Sequence, residues 1–193
     1  MKKKVQFLRG AVFAAMLLVV LSCGGGAGGE TTYTIGSRGP GGGIIFYVDD
    51  GTYGGGTWKY LEAAPAEIGG LFMWASADTS IPGTLTGIGT GAANTAVILA
   101  ADAAAPAAIK CREYRGGGKS DWFLPSKDEL NEMHKNKTLI RDFNLDGGFY
   151  RSSSEGTTNT TYAWVQIFST GSQVENFKTG TNGQGRVRAI RAF

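Results

Sequence analysis

The sequence predicts one domain that mixes helices with strands, placed behind a secretory leader. Residues 44–48 (IIFYV) are β-branched and aromatic and lie between glycines and a turn sequence, which indicates a buried strand. Residues 92–115 are rich in alanine, the strongest helix former. Ser126 and Glu129 form the pattern that caps the start of a helix. A chain of this length can bury a core around both kinds of element.

The leader is predicted at residues 1–22. Four basic residues precede an apolar run at 11–21, which is far shorter than the roughly 20 residues that span a bilayer. Small Ser22 followed by Cys23 resembles the lipobox of bacterial lipoproteins. That resemblance implies that Cys23 is lipidated and anchors the chain at the bacterial outer membrane or cell surface. An ordinary secreted protein with an unmodified cysteine is the alternative.

Composition limits the chemistry of the mature chain. Four of the 19 Lys and Arg residues lie in the leader, so the remainder is close to neutral against 16 Asp and Glu, and no nucleic-acid partner is expected. Without Cys23, the mature chain keeps one cysteine, Cys111, and one histidine, His134. A disulfide scaffold is excluded, and a soft-ligand metal site or Cys–His catalysis is disfavoured. We expect a non-enzymatic monomer without catalytic residues, metal or cofactor.

The first half of the mature chain is expected to begin with a flexible glycine-rich tether at 23–32, followed by the domain at 33–193. After the strand at 44–48, the alternating segment 58–63 predicts its hairpin partner. Residues 64–90 are typical of a loop, with Trp74 as a core anchor.

Further along, Pro106 is expected to divide the alanine-rich stretch into two helices or to kink one, with Cys111 on its buried face. The capped helix is predicted to run to about Asn136, with His134 on its exposed side. Residues 186–193 predict a terminal strand.

The stretch between these elements is polar. Twenty of the 35 residues from 151 to 185 are Ser, Thr, Asn or Gly, a composition typical of loops or disorder. Larger residues recur within and beside it at Tyr150, Trp164, Phe168, Gln173 and Lys178. These residues are expected to anchor the stretch to the core.

Several segments together resemble the C-terminal domain family of Legionella collagen-like proteins. The most specific segments are DWFLPSKDEL at 121–130 and SSSE at 152–155, the latter followed by AW at 163–164, F at 168 and VRAIR at 187–191. The resemblance covers residues 42–193. It implies an α+β fold, a C-type-lectin-like domain with two helices and a small twisted antiparallel sheet, whose N- and C-terminal strands pair. The family usually has an aromatic residue where this chain has Arg151.

The region from about 150 to 185 also resembles the variable region of lipoproteins diversified by retroelements. There, mutagenesis of AAY codons yields residues such as Asn, Ser, Thr, Tyr and Val, but not Trp, Glu, Gln or Lys. The resemblance implies a fixed scaffold of Ser152, Ser153, Ser154, Glu155, Ala163, Trp164, Gln166, Phe168, Gly171, Gln173, Lys178, Arg186 and Arg188. The implied ligand-binding residues are Arg151, Thr157, Thr158, Asn159, Thr160, Thr161, Tyr162, Val165, Ile167, Thr170, Ser172, Val174, Asn176, Phe177, Thr179, Thr181 and Asn182. Glu175 does not fit this codon pattern, and an undiversified polar loop is the alternative.

The predicted function is a lipid-anchored envelope protein that binds a protein or glycan ligand. Small polar residues with a few exposed apolar ones are typical of an antibody-like binding surface. A fixed structural lipoprotein without a specific ligand is one alternative. A calcium-dependent sugar lectin is another, although the Glu-Pro-Asn, Gln-Pro-Asp and Trp-Asn-Asp motifs of true C-type lectins are missing. Oxidase chemistry of the formylglycine-generating type would need paired cysteines or a copper site, which Cys111 alone does not provide.

Overall fold

The computed structural model describes residues 31–193. The predicted leader, the lipidated Cys23 and most of the tether lie outside the described residues, so they stay predictions. Thr32–Phe193 form one compact unit.

Four α-helices and eight strands make up the described domain. The helices are α1 (Gly91–Ala101), α2 (Pro106–Glu113), α3 (Lys127–Lys135) and α4 (Lys137–Ile140). The strands are β1 (Ile44–Val48), β2 (Tyr60–Ala63), β3 (Ile68–Phe72), β4 (Phe149–Glu155), β5 (Tyr162–Ile167), β6 (Gln173–Phe177), β7 (Gly185–Val187) and β8 (Ile190–Ala192).

The strands form two sheets, of order β1-β2-β8 and β3-β7-β4-β5-β6. All strand pairs are antiparallel except β4 with β7. The α+β class is confirmed. The two helices and single small sheet implied by the resemblance are too few. The local sequence pattern, for its part, missed β3 and the four-residue α4 and predicted no strands between 149 and 177.

The terminal strand is divided, which the sequence did not predict. Val187 of β7 pairs with Ile68, whereas Ile190 of β8 pairs with Ala63, so the chain passes from one sheet to the other across residues 188 and 189. β8 pairs with β2, and β2 separates it from β1. The first and last strands therefore flank a common neighbour instead of pairing with each other.

The helices follow their local signals. Pro106 is the first residue of α2, where its missing N–H costs nothing, so two helices form in place of one kinked helix. Both arms of the capping box are present in α3: Glu129 N–H donates to Ser126 Oγ at 3.3 Å, and Ser126 N–H donates to Glu129 Oε2 at 2.7 Å.

The core lies between the helices and the inner faces of the sheets. Trp74 and Cys111 are completely buried, as the sequence predicted. Burial raises the pKa of the Cys111 thiol, which makes it an inert core residue. Within residues 31–193, no helix has the length and apolar character needed to cross a membrane.

Candidate ligand-binding face

The region that resembles a variable region folds mainly as the ribbon β4-β5-β6. Antiparallel register places Tyr162 opposite Phe177 and Val165 opposite Val174. Because successive side chains of a strand point to opposite faces, these two pairs lie on different faces of the ribbon. The predicted ligand-binding residues are therefore not all on one surface, contrary to the expectation of a single face.

Three buried serines fix the centre of β4. Ser152 Oγ donates to the carbonyl of Trp164 at 2.7 Å, and Ser154 Oγ donates to the carbonyl of Leu85 at 2.8 Å. Asn94 donates its side-chain N–H to Ser153 Oγ at 3.2 Å. Every one of the three hydroxyls is satisfied inside the protein, so these serines are structural although they are polar.

A buried ion pair ties the end of β6 to the end of β4. Lys178 is fully buried, and its Nζ contacts the Glu155 carboxylate and donates to the carbonyl of Thr79 at 2.8 Å. The ammonium also lies 4.6 Å from the ring centroid of Trp74. Glu155 in turn accepts the backbone N–H of Ile81 at 2.8 Å. The loop that follows β3 is thus held against the ribbon.

The other end of the ribbon is held by α3. Gln173 donates to the carbonyl of Lys127 at 2.8 Å, and the Lys127 ammonium lies 4.2 Å from the centroid of Trp164. Gln166, buried beside Gln173, closes the β5–β6 hairpin by donating to the carbonyl of Gly171 at 2.7 Å. These residues are scaffold because their polar atoms hold the backbone in place.

Glu175 holds the exposed turn between β4 and β5. Its carboxylate accepts the backbone N–H of Thr157 at 2.7 Å and of Thr158 at 3.2 Å, together with both threonine hydroxyls. Burial opposes ionisation, but these hydrogen bonds outweigh it and lower the pKa of Glu175. Glu175 therefore holds the backbone in place, as the predicted scaffold residues do.

Burial separates the two sets of residues that the sequence distinguished. None of the thirteen scaffold residues is exposed, and eight of them are buried. Among the seventeen predicted ligand-binding residues, ten are exposed: Thr157, Thr158, Asn159, Thr160, Thr170, Ser172, Val174, Phe177, Thr181 and Asn182. Five are partly exposed: Thr161, Tyr162, Ile167, Asn176 and Thr179.

Two of the predicted ligand-binding residues, Arg151 and Val165, are buried. Arg151 lies in the middle of the sheet, and its guanidinium donates to the carbonyls of Phe177 and Gly183 beneath the loop that follows β6. Its Nε and Nη1 atoms have no hydrogen-bond partner among the described residues. Burial lowers the pKa of Arg151 to about 9. Neither residue reaches the surface, and neither belongs to an exposed binding face in this conformation.

The fifteen exposed or partly exposed residues lie in four places: two groups on opposite faces of the ribbon, the β5–β6 hairpin and the loop after β6. We call the first group the turn patch; it consists of Thr157, Thr158, Asn159, Thr160, Thr161, Tyr162 and Phe177. Its aromatic rings meet edge to face at 4.9 Å, and Phe177 is 44% exposed. Ile167, Val174 and Asn176 lie on the opposite face of the ribbon. Thr170 and Ser172 are in the β5–β6 hairpin, and Thr179, Thr181 and Asn182 follow β6.

The metal-ligating side chains of residues 31–193 are scattered, and His134 lies in a packed position. No cluster of three or more His, Cys, Asp or Glu side chains in that range is arranged to hold a metal ion. His134 packs edge to face on Phe168 at 5.5 Å and lies 2.9 Å from Lys137 Nζ. Burial and the Lys137 charge lower the pKa of His134. Its surroundings are those of a packing residue.

Comparison of the sequence with models of known protein families and with curated proteins gives no match.

Proposed function

We propose that this protein is a lipid-anchored binding protein of the bacterial outer membrane or cell surface, and that the turn patch is the centre of its ligand-binding face. Cys23 carries the anchor, and the tether at 23–32 holds the domain away from the membrane. The ligand is a protein or a glycan. The domain is C-type-lectin-like, and its exposed residues between 157 and 182 are diversified by a retroelement.

The observation that carries the proposal is the burial pattern of residues 151–188. The family resemblance and the AAY codon pattern together separate scaffold from ligand-binding residues without any structural input, and solvent exposure separates nearly the same two sets. Polarity alone does not account for this, since Ser152 and Lys178 are polar and buried, whereas Val174 and Phe177 are apolar and exposed. Exposed positions whose side chains make few contacts tolerate substitution without loss of the fold.

The lectin-like assignment is supported by the resemblance over 42–193 and by the α+β architecture. Two features differ from the expectation: four helices are present in the described residues, and β2 separates the first and last strands. The assignment is tested by an experimental structure and its superposition on C-type-lectin-like domains. A different strand order in the central sheet would contradict it.

Diversification is tested by deep sequencing of the 3′ end of the gene across a population. We expect substitutions at the fifteen exposed or partly exposed positions, and constancy at Ser152, Gln166, Glu175 and Lys178. A nearby reverse transcriptase and a near-identical template are expected as well. Substitutions spread evenly over both sets, or an invariant region without a template, would leave a fixed envelope lipoprotein.

Binding is tested with the mature protein on a glycan array and against immobilised envelope-exposed proteins. A double variant, Tyr162→Ala with Phe177→Ala, is expected to lose binding to any ligand so identified, because it removes the aromatic pair of the turn patch. The matched control is Leu71→Ala, which removes a side chain of similar exposure on β3. If the double variant and the Leu71→Ala control lost binding equally, or if the double variant kept its binding, the ligand site would lie outside the turn patch.

Anchoring is tested by membrane fractionation of the Cys23→Ser variant. We expect this variant to leave the membrane fraction. A variant that stays with membranes would refute lipidation at Cys23 and would leave the binding face to be tested on its own.

A further inference from the structure

Three aromatic side chains form a cluster far in sequence from the ribbon. Tyr47 on β1 lies between Tyr53 in the following turn and Trp58 before β2, with ring centroids 6.3 Å away in each case. The planes of these two ring pairs are inclined at 61° and 53°. Tyr53 is 51% exposed, and the other two rings are partly exposed. The cluster therefore consists of one exposed ring, Tyr53, beside two partly exposed rings that pack against the core.

The floor of this cluster is the backbone of Gly89. A Cβ atom on Gly89 would lie 3.1 Å from Trp58 Cζ2 and 3.8 Å from Tyr53 Cβ, so Tyr53 and Trp58 both approach the same glycine. The φ angle of Gly89 is +85°, which favours glycine there. The Gly89 N–H donates to the buried Glu129 carboxylate at 2.8 Å. A rigid floor thus brings the rings together.

The turn that carries Tyr53 is also held in place. Asp49 is 5% exposed and accepts the backbone N–H groups of Gly51, Tyr53 and Gly54 at 2.9–3.0 Å. Asp50 accepts the backbone N–H of Thr52 at 3.0 Å. The backbone of Tyr53 is consequently held in place before any ligand arrives, which lowers the entropic cost of ordering this turn on binding.

The electrostatic surroundings of the cluster are acidic. Burial raises the pKa of Tyr47, and the charges of Asp49, Asp50 and Glu132 raise it further. Glu132 is paired with Lys135 at 2.6 Å, but among residues 31–193 neither Asp49 nor Asp50 forms an ion pair. Two carboxylates without a cationic partner therefore lie beside the rings.

We infer that Tyr47, Tyr53 and Trp58 form a second binding site, which takes a small quaternary ammonium group of the choline type. Aromatic faces attract a cation within about 6 Å of the ring centroid, and a cation above and between rings 6.3 Å apart is within reach of both. The acidic neighbours add attraction to positive charge. Both oxygens of Asp49 accept backbone N–H groups of its own turn, so this buried carboxylate contributes charge without a free acceptor, which suits a ligand without N–H groups better than a sugar.

The test is an NMR titration of the mature protein that follows the tryptophan indole N–H resonances. Choline chloride is compared with 3,3-dimethyl-1-butanol, a neutral molecule of nearly the same shape, at constant ionic strength. We expect saturable shifts of one indole resonance with choline and none with the neutral alcohol. Equal binding of both would reduce the site to an apolar patch, and no saturable shift with choline would refute the proposal.

Three variants locate the site. Tyr53→Ala is expected to weaken choline binding about tenfold, since one ring of three is lost. Asp50→Asn, at an exposed position, is expected to weaken it about threefold through loss of charge. Leu85→Ala, at a side chain 61% exposed outside the cluster, is the matched control and is expected to change nothing. Unchanged affinity in both Tyr53→Ala and Asp50→Asn would overturn the assignment, as would binding of a neutral hexose in place of choline.

Discussion

Arg151 and Arg188 are two fully buried arginines that we expect to respond oppositely to replacement by methionine. Arg188 donates to the carbonyls of Ala64 and Pro65 at 2.8 and 2.6 Å, and to that of Arg141 at 2.6 Å. All three of its nitrogen atoms are therefore hydrogen-bonded. Arg151 uses only Nη2, and within residues 31–193 no carboxylate pairs with it.

The magnitude follows from the burial of the Arg151 charge. Burial lowers the pKa of Arg151 from 12.5 to about 9, and at about 1.4 kcal/mol per pKa unit the charged form is disfavoured by about 5 kcal/mol. Methionine forfeits two hydrogen bonds to carbonyls, at about 1 kcal/mol each, and the contact of the guanidinium with the Phe149 ring at 5.1 Å, at about 0.5–1 kcal/mol. We expect Arg151→Met to raise the free energy of unfolding by about 1–3 kcal/mol, within the range measured when buried charges are replaced by apolar residues.

Arg188→Met is the matched comparison. Burial lowers the pKa of Arg188 as well, to about 10, but its removal leaves buried carbonyls without donors and removes the guanidinium 4.3 Å from the Phe143 centroid. We expect a loss of at least about 3 kcal/mol. Urea and thermal unfolding followed by circular dichroism measure both variants; for a domain of this size, Arg151→Met is expected to raise Tm by about 3–10 °C. A loss of stability in Arg151→Met similar to that in Arg188→Met would refute the reasoning.

Three further predictions concern the scaffold. Burial raises the pKa of Glu129 to about 7, so between pH 4.5 and 7 the folded state binds more protons than the unfolded state. The free energy of unfolding is therefore expected to fall by up to about 3 kcal/mol as pH rises to 7. Unfolding measured as a function of pH checks this, because the Glu129→Gln variant is expected to show a flatter profile. Lys178→Met leaves the Glu155 carboxylate without its buried partner and is expected to lower the free energy of unfolding by about 3–5 kcal/mol. Adding Glu155→Gln is expected to restore much of that loss, which a double-mutant cycle followed by urea unfolding measures. Glu175→Ala releases Thr157 and Thr158, so hydrogen exchange of their amides is expected to accelerate while the Tm changes little; protection equal to that of the original protein would contradict the role of Glu175.

Elements with a local determinant were predictable. The strand at Ile44–Val48, the division at Pro106 and the capped helix α3 each depend on residues within a few positions of one another, and the structure confirms all three. β3 contains two glycines and its strand structure comes from pairing with β7, more than a hundred residues away. No pattern within its own five residues indicates that pairing.

The candidate site was predictable in composition but not in shape. The family resemblance and the codon pattern separated scaffold from exposed residues with two exceptions, Arg151 and Val165. Arg151 was expected at the surface because it was placed among the variable residues; it is buried because β4 is a central strand and the loop after β6 covers it. In the sequence, Glu175 counts against diversification; its scaffold role depends on partners 17 and 18 residues away, which no local pattern indicates. The register of β5 with β6 alone decides which exposed side chains share a face.

The sequence by itself determined helices α1, α2 and α3, the first strand, buried anchors such as Trp74 and Phe168, and the set of residues whose chemistry suits a binding surface. Helix caps, proline and hydrophobic runs act through neighbouring atoms, so they are readable along the chain. Only the tertiary structure decided the two-sheet arrangement, the burial of Arg151, the division of the exposed residues into the turn patch and the opposite face, and the meeting of Tyr47 with Tyr53 and Trp58. Those features depend on contacts between segments whose relative positions are set by sheet register and packing, which no local pattern specifies.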